Sequence, residues 1–441
     1  GKATVDNQRG AIIGTVAAKF YGENRTGGVP GYSDAIRGSD RPYGESIYTR
    51  RGEVVGSYTP PSVDGLRVAG AVTYHDQDSY YGTEWYDATQ SISLGQATWD
   101  QPFGEDLRVL SGATIRYETY NDNTPATAGG TDHRWIPGVF SQAELSTGDL
   151  TFLAGMRVDH HSEHGYVSAP RASAKFSPTD FTIFRLSAGT GFRVVNIFTE
   201  DHAALTGSRD VVFSENLDPE RSRSITGGIE QIISFGANPM TVSLDGFYTY
   251  FSNKIIPDYD TDPNLILYQN LDGFSVTRGI SAGLEQNFTR ISLSYNASFT
   301  LMDVFTEENN RREPLEYAPE YTGTFGASYS ISSLDMTLGY NGNLIGPKKM
   351  PDSYSENFGR DPWSPAHSTH DFKLTMEITN VNGPSGLGVE AYISAENVFN
   401  YRQGTPLVDP GNPFGPNFDT IYTWGPIIGR TFSVGARLNI R

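Results

Sequence analysis

Four oxygen-bearing side chains occupy every second position of the stretch PDYDTDPN (257–264). They are Asp258, Asp260, Asp262 and Asn264. Calcium takes six to eight oxygen ligands, and carboxylates spaced in this way within one loop can supply several of them. Pro263 stands where an EF-hand loop has its glycine, and no matching glutamate follows. The array therefore predicts either a calcium site or an acidic turn that binds only water.

A single histidine, His202, lies in the polar stretch NIFTEDHAALTG, directly after Glu200 and Asp201. An imidazole beside two carboxylates can contact a hydrated metal ion or a ligand rich in hydroxyl groups. A lone histidine in a loop is also an ordinary surface residue. Both interpretations stay open on the residues alone.

The stretch HHSEH (160–164) is a weaker metal candidate, because His160 and His161 point to opposite faces of an extended chain. The sequence contains no GxSxG, no HExxH and no phosphate-binding glycine loop. Cysteine is absent, which excludes a disulfide framework and a thiolate metal site. With no candidate nucleophile, we do not expect an enzyme, and no cofactor is required.

The composition narrows the class of protein further. The 441 residues carry a net charge of −18. Phosphate binding needs a basic surface, so nucleic acid is not an expected partner. Hydrophobic residues make up only 37% of the chain, although aromatic residues reach 12%. No run approaches the ~18 apolar residues of a membrane-spanning helix.

Apolar and polar side chains alternate along most of the chain. In LSAGTGFR (186–193), Leu186, Ala188 and Phe192 share one face, and Gly189, Gly191 and Arg193 share the other. TFSVGARLNI (431–440) alternates in the same way. Strands of ~10–16 residues recur about 18 times, whereas strands of soluble proteins average ~5–6 residues. The pattern predicts an all-β chain that forms a transmembrane antiparallel β-barrel, apolar outside and polar inside.

The connections between these strands are alternately short and long, as in outer-membrane barrels with short periplasmic turns and longer external loops. HSEHG (161–165) is the exception, a short connection in a long-loop position. Residues 1–441 are therefore expected to form a single barrel domain. The long loops are predicted at 22–45, 76–86, 120–134, 194–220, 257–272, 303–319, 346–367 and 401–428.

Several motifs in fixed order resemble those of TonB-dependent outer-membrane receptors. The sequence around the first motif is most like that of receptors of Bacteroidota. The ordered set is more specific than any single motif. The resemblance covers essentially the whole chain and is strongest after residue 150. The motifs are SAGTGFRVVN (187–196), ENLDPERSRSITGGIE (215–230), GMRVDHHSEHG with SAPRASAKFSP (155–178), LDGFYTYFSNKI (244–255), PLEYAPEYTGTFGASY (314–329) and ISAENVFN (393–400).

The resemblance implies a barrel of about 22 strands with an N-terminal plug and a TonB-binding motif. About 18 strands are expected here, so the plug and first strands are predicted upstream of Gly1. Family members also end on an aromatic residue, whereas this chain ends at Arg441. A missing last residue or a tag would explain that departure.

The resemblance also suggests ligand contacts. In haem receptors of the family, a histidine in the interval occupied by His202 ligates iron. Arg185 and Arg193 should face the lumen, where they pair with plug carboxylates or with an anionic substrate. Trp85 and Tyr86 fit either an interfacial girdle or a substrate contact. The candidate substrate-binding residues are Arg193, Glu200, Asp201, His202, Trp85 and Tyr86.

The implied function is TonB-dependent uptake of a scarce nutrient across the outer membrane of a Gram-negative bacterium. A ferric siderophore is the leading substrate, followed by haem and cobalamin. The expected partners are TonB with its inner-membrane energising complex, the nutrient, a surface lipoprotein, and lipid or lipopolysaccharide. The alternative is a closed 18-stranded diffusion porin for small solutes, which the strand count favours and the family motifs oppose.

Overall fold

The computed structural model describes residues 2–6, 12–124, 127, 130–195, 202–206, 208–262, 264–379, 387–404 and 406–440. Within this part of the chain, twenty strands form one sheet and three short strands form a second. Long strands follow from the alternating sequence, because a two-residue period places every apolar side chain of a strand on the same face. No helix among the described residues is long and apolar enough to cross a membrane.

The longest strands have 15 to 20 residues. In the described part of the chain, one short α-helix, α1 (Asp352–Phe358), lies between two shorter strands, Met336–Ile345 and His367–Thr379. In chain order the strands are β1 (Lys2–Asp6), β2 (Ile12–Gly28), β3 (Gly44–Tyr58), β4 (Leu66–Tyr81), β5 (Glu84–Phe103), β6 (Leu107–Asp122), β7 (Asp132–Thr147), β8 (Leu150–His161), β9 (Gly165–Thr179), β10 (Thr182–Arg193), β11 (Asp210–Phe213), β12 (Glu220–Ile233), β13 (Met240–Asn253), β14 (Ile255–Asp258), β15 (Leu265–Asn270), β16 (Gly273–Phe288), β17 (Leu293–Glu308), β18 (Arg311–Pro314), β19 (Tyr321–Ile331), β20 (Met336–Ile345), β21 (His367–Thr379), β22 (Leu387–Glu396) and β23 (Thr431–Ile440).

The large sheet is an antiparallel meander, in which each long strand pairs with the long strands before and after it in the chain. The short β18 continues the line of β19 along the end of β17. The pairings described for the first and last strands are β1 with β2 and β23 with β22. In the small sheet, β15 lies between β11 and β14, within the connections that follow β10 and β13.

One face of the large sheet is apolar and exposed. Leu186 is 53% exposed, Phe432 is 71% exposed and Val434 is 82% exposed. A water-soluble sheet would cover such a face, so this surface requires an apolar environment. The opposite face carries ion pairs such as Arg185–Glu230. The alternation predicted at 186–193 is confirmed, with Leu186 outward and Arg193 inward.

The connections at the long-loop end pack against one another. Tyr43, just before β3, contacts Phe418 of the β22–β23 connection, with ring centroids 4.8 Å apart. This contact joins segments near the two ends of the meander, so the sheet must curl round. We call the packed segments of the β10–β12, β13–β16, β18–β19, β20–β21 and β22–β23 connections the loop cap. Its apolar clusters include buried Ile266, Tyr268, Met350 and Tyr354.

The eighteen expected strands are present, and β1 and β18 are additional strands of the same sheet. The prediction of a long loop at 76–86 was wrong. There β4 and β5 continue to a tight turn that begins at Gly82, whose φ of +60° lies in the left-handed region that favours glycine. Residues 303–319 contain the end of β17 and β18 rather than loop alone. Backbone pairing in these two segments was missed because their polar side chains look like loop residues.

Candidate functional site

A charged cavity of about 640 Å³ lies against the inward faces of β5 to β8 and the end of β10. Its guanidinium groups come from four strands, and carboxylates lie among them. Because residues two apart on a strand share a face, the i, i+2 charge spacing of these strands places both signs in the same cavity. The charged and titratable lining residues are Arg116, Glu118, Asp132, Arg134, Arg157, Asp159, His161 and Arg193.

Arg157 and Asp159 on β8 form a bidentate ion pair in this cavity. Arg157 donates from Nε and from NH2 to the two carboxylate oxygens of Asp159, at 2.6 Å each, and also from NH2 to Thr114 Oγ1 at 2.9 Å. Asp159 is only 4% exposed. A bidentate pair holds the guanidinium in one orientation, and the hydroxyl fixes it further. Arg157 is therefore a fixed, charged part of the wall.

Two further pairs use the same spacing. Arg116 contacts Glu118 on β6 with 3.1 Å between Nε and Oε1, and Arg134 contacts Asp132 on β7. The Arg134 Nε atom is buried and has no hydrogen-bond partner among the described residues. Sequence reasoning passed over all three pairs, although the pattern of opposite charges two residues apart was visible in each strand. The cavity wall thus contains several fixed cations, each close to an anion.

The inward arginines of β10 pair with carboxylates of the neighbouring strand β12. Arg193 Nε donates to Glu220 Oε2 at 2.9 Å, and Arg185 NH1 lies 3.2 Å from Glu230 Oε2. Glu220 also accepts a hydrogen bond from the backbone N–H of Ile255 at 3.1 Å. Arg185 and Arg193 therefore each pair with a carboxylate of the sheet itself. The sequence had suggested a plug carboxylate or an anionic substrate as their partner. A substrate contact by Arg193 stays a prediction.

Trp85 and Tyr86 occupy opposite faces of β5. Tyr86 is buried under the loop cap, and its hydroxyl lies 3.0 Å from that of Tyr120, which donates to Asp122 at 2.6 Å. Trp85 is 52% exposed on the other face, and its Nε1 donates to Asp78 at 3.2 Å. The structure therefore brings Tyr86 to the inner surface and Trp85 to the outer one, where a girdle residue would lie.

The structure describes only part of the segment around His202. Glu200, Asp201 and the side chain of His202 lie outside the described residues. The backbone of His202 begins a 3-10 turn, His202–Leu205, whose Ala204 is buried in the loop cap. The ligand role of these three residues stays a prediction.

The acidic array after β14 does not converge on one point. Asp258 Oδ1 accepts from the backbone N–H groups of Asp260 and Thr261 at 2.9 Å each, and Asp262 accepts from that of Asn264 at 2.8 Å. Asp260 instead accepts from the first N–H groups of α1, at 3.0 and 2.8 Å. Its charge therefore lies at the positive end of that helix. Calcium at Asp258, Asp260, Asp262 and Asn264 stays a prediction.

The HHSEH hairpin brings three residues together. His161, Glu163 and His164 each place a potential ligand atom within 4.8 Å of the others. His160 points away and packs against Tyr166, so the predicted opposite orientation is confirmed. However, His161 Nδ1 accepts from the Glu163 N–H at 3.2 Å. Its proton must then sit on Nε2, which leaves no free lone pair for a metal.

The centre of the loop cap is an ion pair between Arg209 and Asp419. Their side chains are 0% and 2% exposed, and Arg209 Nε donates to Asp419 Oδ2 at 2.7 Å. Arg209 also donates to the backbone oxygen of Tyr259 at 2.7 Å, and the Tyr354 hydroxyl donates to Asp419 at 3.0 Å. Four connections therefore meet at this pair. No motif in the sequence pointed to it.

A partly buried carboxyl group makes the loop cap sensitive to pH. Burial, together with the nearby Asp260, raises the pKa of Glu316 from 4.5 to about 8, although Lys349 opposes the change. The unfolded chain then loses this proton at lower pH than the folded cap does, so the stability of the cap falls as the pH rises from about 4.5 to about 8. We expect proteolysis of the cap to be faster at pH 8 than at pH 5.5. Glu316→Gln should remove most of this difference, and an unchanged difference in that variant would assign the effect to another group.

Comparison with known proteins identifies the family of this chain. A family model described as TonB dependent receptor-like, beta-barrel, matches residues 21–398. Among curated proteins, no sequence matches the chain.

Solved structures of similar fold include proteins described as an iron transporter and as siderophore receptors. The FrpB iron transporter from Neisseria meningitidis (F5-1 variant) has a TM-score of 0.69 at 11% identity, covering 99% of this chain and 71% of that one. The siderophore receptor PirA from Acinetobacter baumannii has a TM-score of 0.67 at 14% identity, with 97% and 68% covered. A ferric enterobactin receptor (PfeA) mutant from Pseudomonas aeruginosa has a TM-score of 0.67 at 14% identity, with 97% and 67% covered.

At these identities the solved structures show the fold alone, whereas the family model matches most of the sequence. The match extends from β2 to the end of β22 and includes the inward charges and all of the loop cap except its β22–β23 segment. The chain therefore belongs to the TonB-dependent receptor β-barrel family, whose members lie in the outer membrane of Gram-negative bacteria.

Proposed function

We propose that this chain is the barrel of a receptor that takes up a scarce nutrient across the outer membrane with energy delivered by TonB. The observation that carries the proposal is the charged inward cavity beneath the loop cap. Its guanidinium groups can contact an anionic or oxygen-rich ligand, because a paired arginine keeps donors free outside its bidentate contact. The proposed receptor also has a plug and a TonB-binding segment, and it acts with a surface lipoprotein.

A ferric siderophore is the substrate class that we favour. The similar folds include proteins described as an iron transporter, a siderophore receptor and a ferric enterobactin receptor. Ferric siderophores are large and often anionic, and they suit a cavity with four arginines better than a small neutral solute does. Haem and cobalamin are the next candidates.

The packed loop cap argues against the diffusion porin. Buried tyrosines from the sheet and from the connections form one cluster, which includes Tyr86, Tyr120, Tyr259 and Tyr268. An open channel for small solutes would keep its entrance hydrated instead. We therefore expect ligand binding to precede any passage through this barrel.

The test is uptake by cells that express the full-length receptor as their iron-acquisition route. We expect accumulation of a radiolabelled ferric siderophore that is lost on deletion of the receptor gene and equally lost on deletion of tonB. Haem and cobalamin are assayed in parallel to identify the substrate. Uptake of small sugars that persists without TonB would contradict the transporter and support the porin.

A further inference from the structure

The outward face of the sheet carries an apolar groove of about 800 Å³ across β10, β12, β13, β16 and β17. Leu186 and Ile225 lie on one side of it, and Ile280 and Leu301 lie on the other. Its floor is formed by Gly227 and Gly246, which face each other directly across β12 and β13.

The protein does not need these glycines for its own packing. A Cβ atom on Gly246 would find only the Gly279 oxygen, at 4.0 Å, and one on Gly227 would lie 3.5 Å from Leu186. Both distances are ordinary or open, so side chains could occupy this space without moving the backbone. Glycine at these two positions therefore leaves space for a bound ligand and is not needed to avoid a clash within the sheet.

Arginines lie at the long-loop end of the groove. Arg278 lines it and pairs with Asp303 at 2.8 Å, and Arg312 contacts the same carboxylate at 2.6 Å. Arg221 and Arg223 are exposed on the face of β12 that also carries Ile225. Among the described residues, neither Arg221 nor Arg223 forms an ion pair.

These positions are close enough for one ligand to bridge them. Adjacent strands lie about 4.8 Å apart, so Arg223 on β12 is roughly 10 Å across the sheet from Arg278 on β16. Glu320 and Asp303 line the groove, and Glu307 lies opposite Arg312 across β17 and β18. These three carboxylates reduce the charge of the four arginines but leave one positive charge in excess. An excess of guanidinium groups therefore remains at the level where the membrane-spanning part of the sheet ends.

We propose that this arginine groove, formed by the apolar groove and Arg221, Arg223, Arg278 and Arg312, binds a phosphorylated, acylated lipid of the surrounding leaflet. An acyl chain would lie over Gly227 and Gly246, and the phosphate would accept hydrogen bonds from the guanidinium groups, whose planar donors match phosphate oxygens. The inference rests on the membrane location of the family, not on which nutrient is taken up.

A second outward groove provides the comparison. This groove is lined by Val16, Gly56, Gly70 and Ile115, among others, and has a volume of about 470 Å³. None of its lining residues is charged. Ordinary contact with membrane lipid would occupy both grooves alike. An arginine facing lipid is costly at the middle of the membrane and tolerated near its surface, so a cluster at one groove end indicates a phosphate partner.

The experiment titrates the detergent-solubilised full-length receptor with bisphosphorylated lipid A and counts bound lipid by native mass spectrometry. Phosphate-free lipid A and phosphatidylcholine serve as comparison lipids. We expect Arg221→Gln with Arg223→Gln to weaken lipid A binding at least about tenfold, because two charge-assisted contacts are lost. Gly246→Val should weaken it by filling the groove.

The matched controls lie in the sector of the second groove. Arg50→Gln removes an exposed outward arginine of β3, and Gly56→Val fills the second groove, where a Cβ atom has its nearest neighbour at 3.4 Å. Both controls should bind lipid A as the unmodified protein does. Equal binding by all variants, or equal binding of phosphate-free lipid, would overturn the site and leave only non-specific lipid. Nutrient uptake is measured separately and should be the same in every variant as in the unmodified receptor. An unmodified receptor that takes up no nutrient would contradict the proposed function and would leave the lipid site untouched.

Discussion

Asp419→Ala is expected to release the loop cap from its packed arrangement while leaving the strands intact. The substitution leaves the Arg209 guanidinium buried without its carboxylate and removes the acceptor of the Tyr354 hydroxyl and of the Ile421 N–H group. Breaking a buried ion pair in this way costs about 3–5 kcal/mol. Because the pair joins connections rather than strands, the loss should fall on the local stability of the cap.

Hydrogen exchange resolved by peptide is the measurement. We expect exchange in peptides containing Arg209, Tyr354 and Tyr422 to accelerate in Asp419→Ala, with β5 to β8 unchanged. The control is the double variant Arg209→Met with Asp419→Leu, which removes both charges and should restore much of the protection, since an apolar pair avoids the unpaired charge. Unchanged exchange in the single variant would show that the ion pair does not hold the cap.

Gly138→Ala should have the second large effect, this time on the sheet. Gly138 of β7 lies opposite Asp159 of β8, and an added Cβ atom would overlap the Asp159 carboxylate and lie 3.0 Å from Thr114 Oγ1. The carboxylate would have to leave Arg157 while Asp159 itself stays buried. Because the Arg157 side chain is 41% exposed, water replaces part of the lost contact, and we expect a loss of about 1–3 kcal/mol in the free energy of unfolding.

Urea unfolding of the receptor in lipid vesicles tests this expectation, with the folded fraction read from heat-modifiable migration on gels. Gly52→Ala is the control, because a Cβ atom there would have no neighbour within 4 Å. We expect that variant to unfold like the unmodified protein. If Gly138→Ala has the same midpoint as Gly52→Ala, the cavity wall does not depend on a fixed Asp159.

Some of the architecture was readable from local spacing. The predicted break at Val194 agrees with the end of β10 at Arg193, and the predicted loop at 346–367 agrees with the end of β20 at Ile345 and the start of β21 at His367. These predictions succeed because alternation is a property of consecutive residues. The tight turn at Gly82 was missed because strands that extend beyond a membrane become polar on both faces there.

The candidate site was readable in part. The motifs placed Arg193 at the long-loop end of its strand, and an i, i+2 search would have found Arg157 and Asp159 as well. The partner of Arg193 on the neighbouring strand was not predicted, because register between strands depends on turn geometry as well as pattern. Trp85 and Tyr86 were taken together as one candidate contact, although alternation alone separates their faces.

The sequence by itself therefore determined the strands, the faces of their side chains and the family, all of which depend on two-residue periodicity and on motifs within single segments. Only the tertiary structure decided what the loops do. Arg209 and Asp419 are 210 residues apart in the chain, and the arginine groove combines residues of seven strands, from β10 to β19. The physical reason is that strand geometry follows from local backbone sterics, whereas loop packing depends on which distant segments the curled sheet brings together.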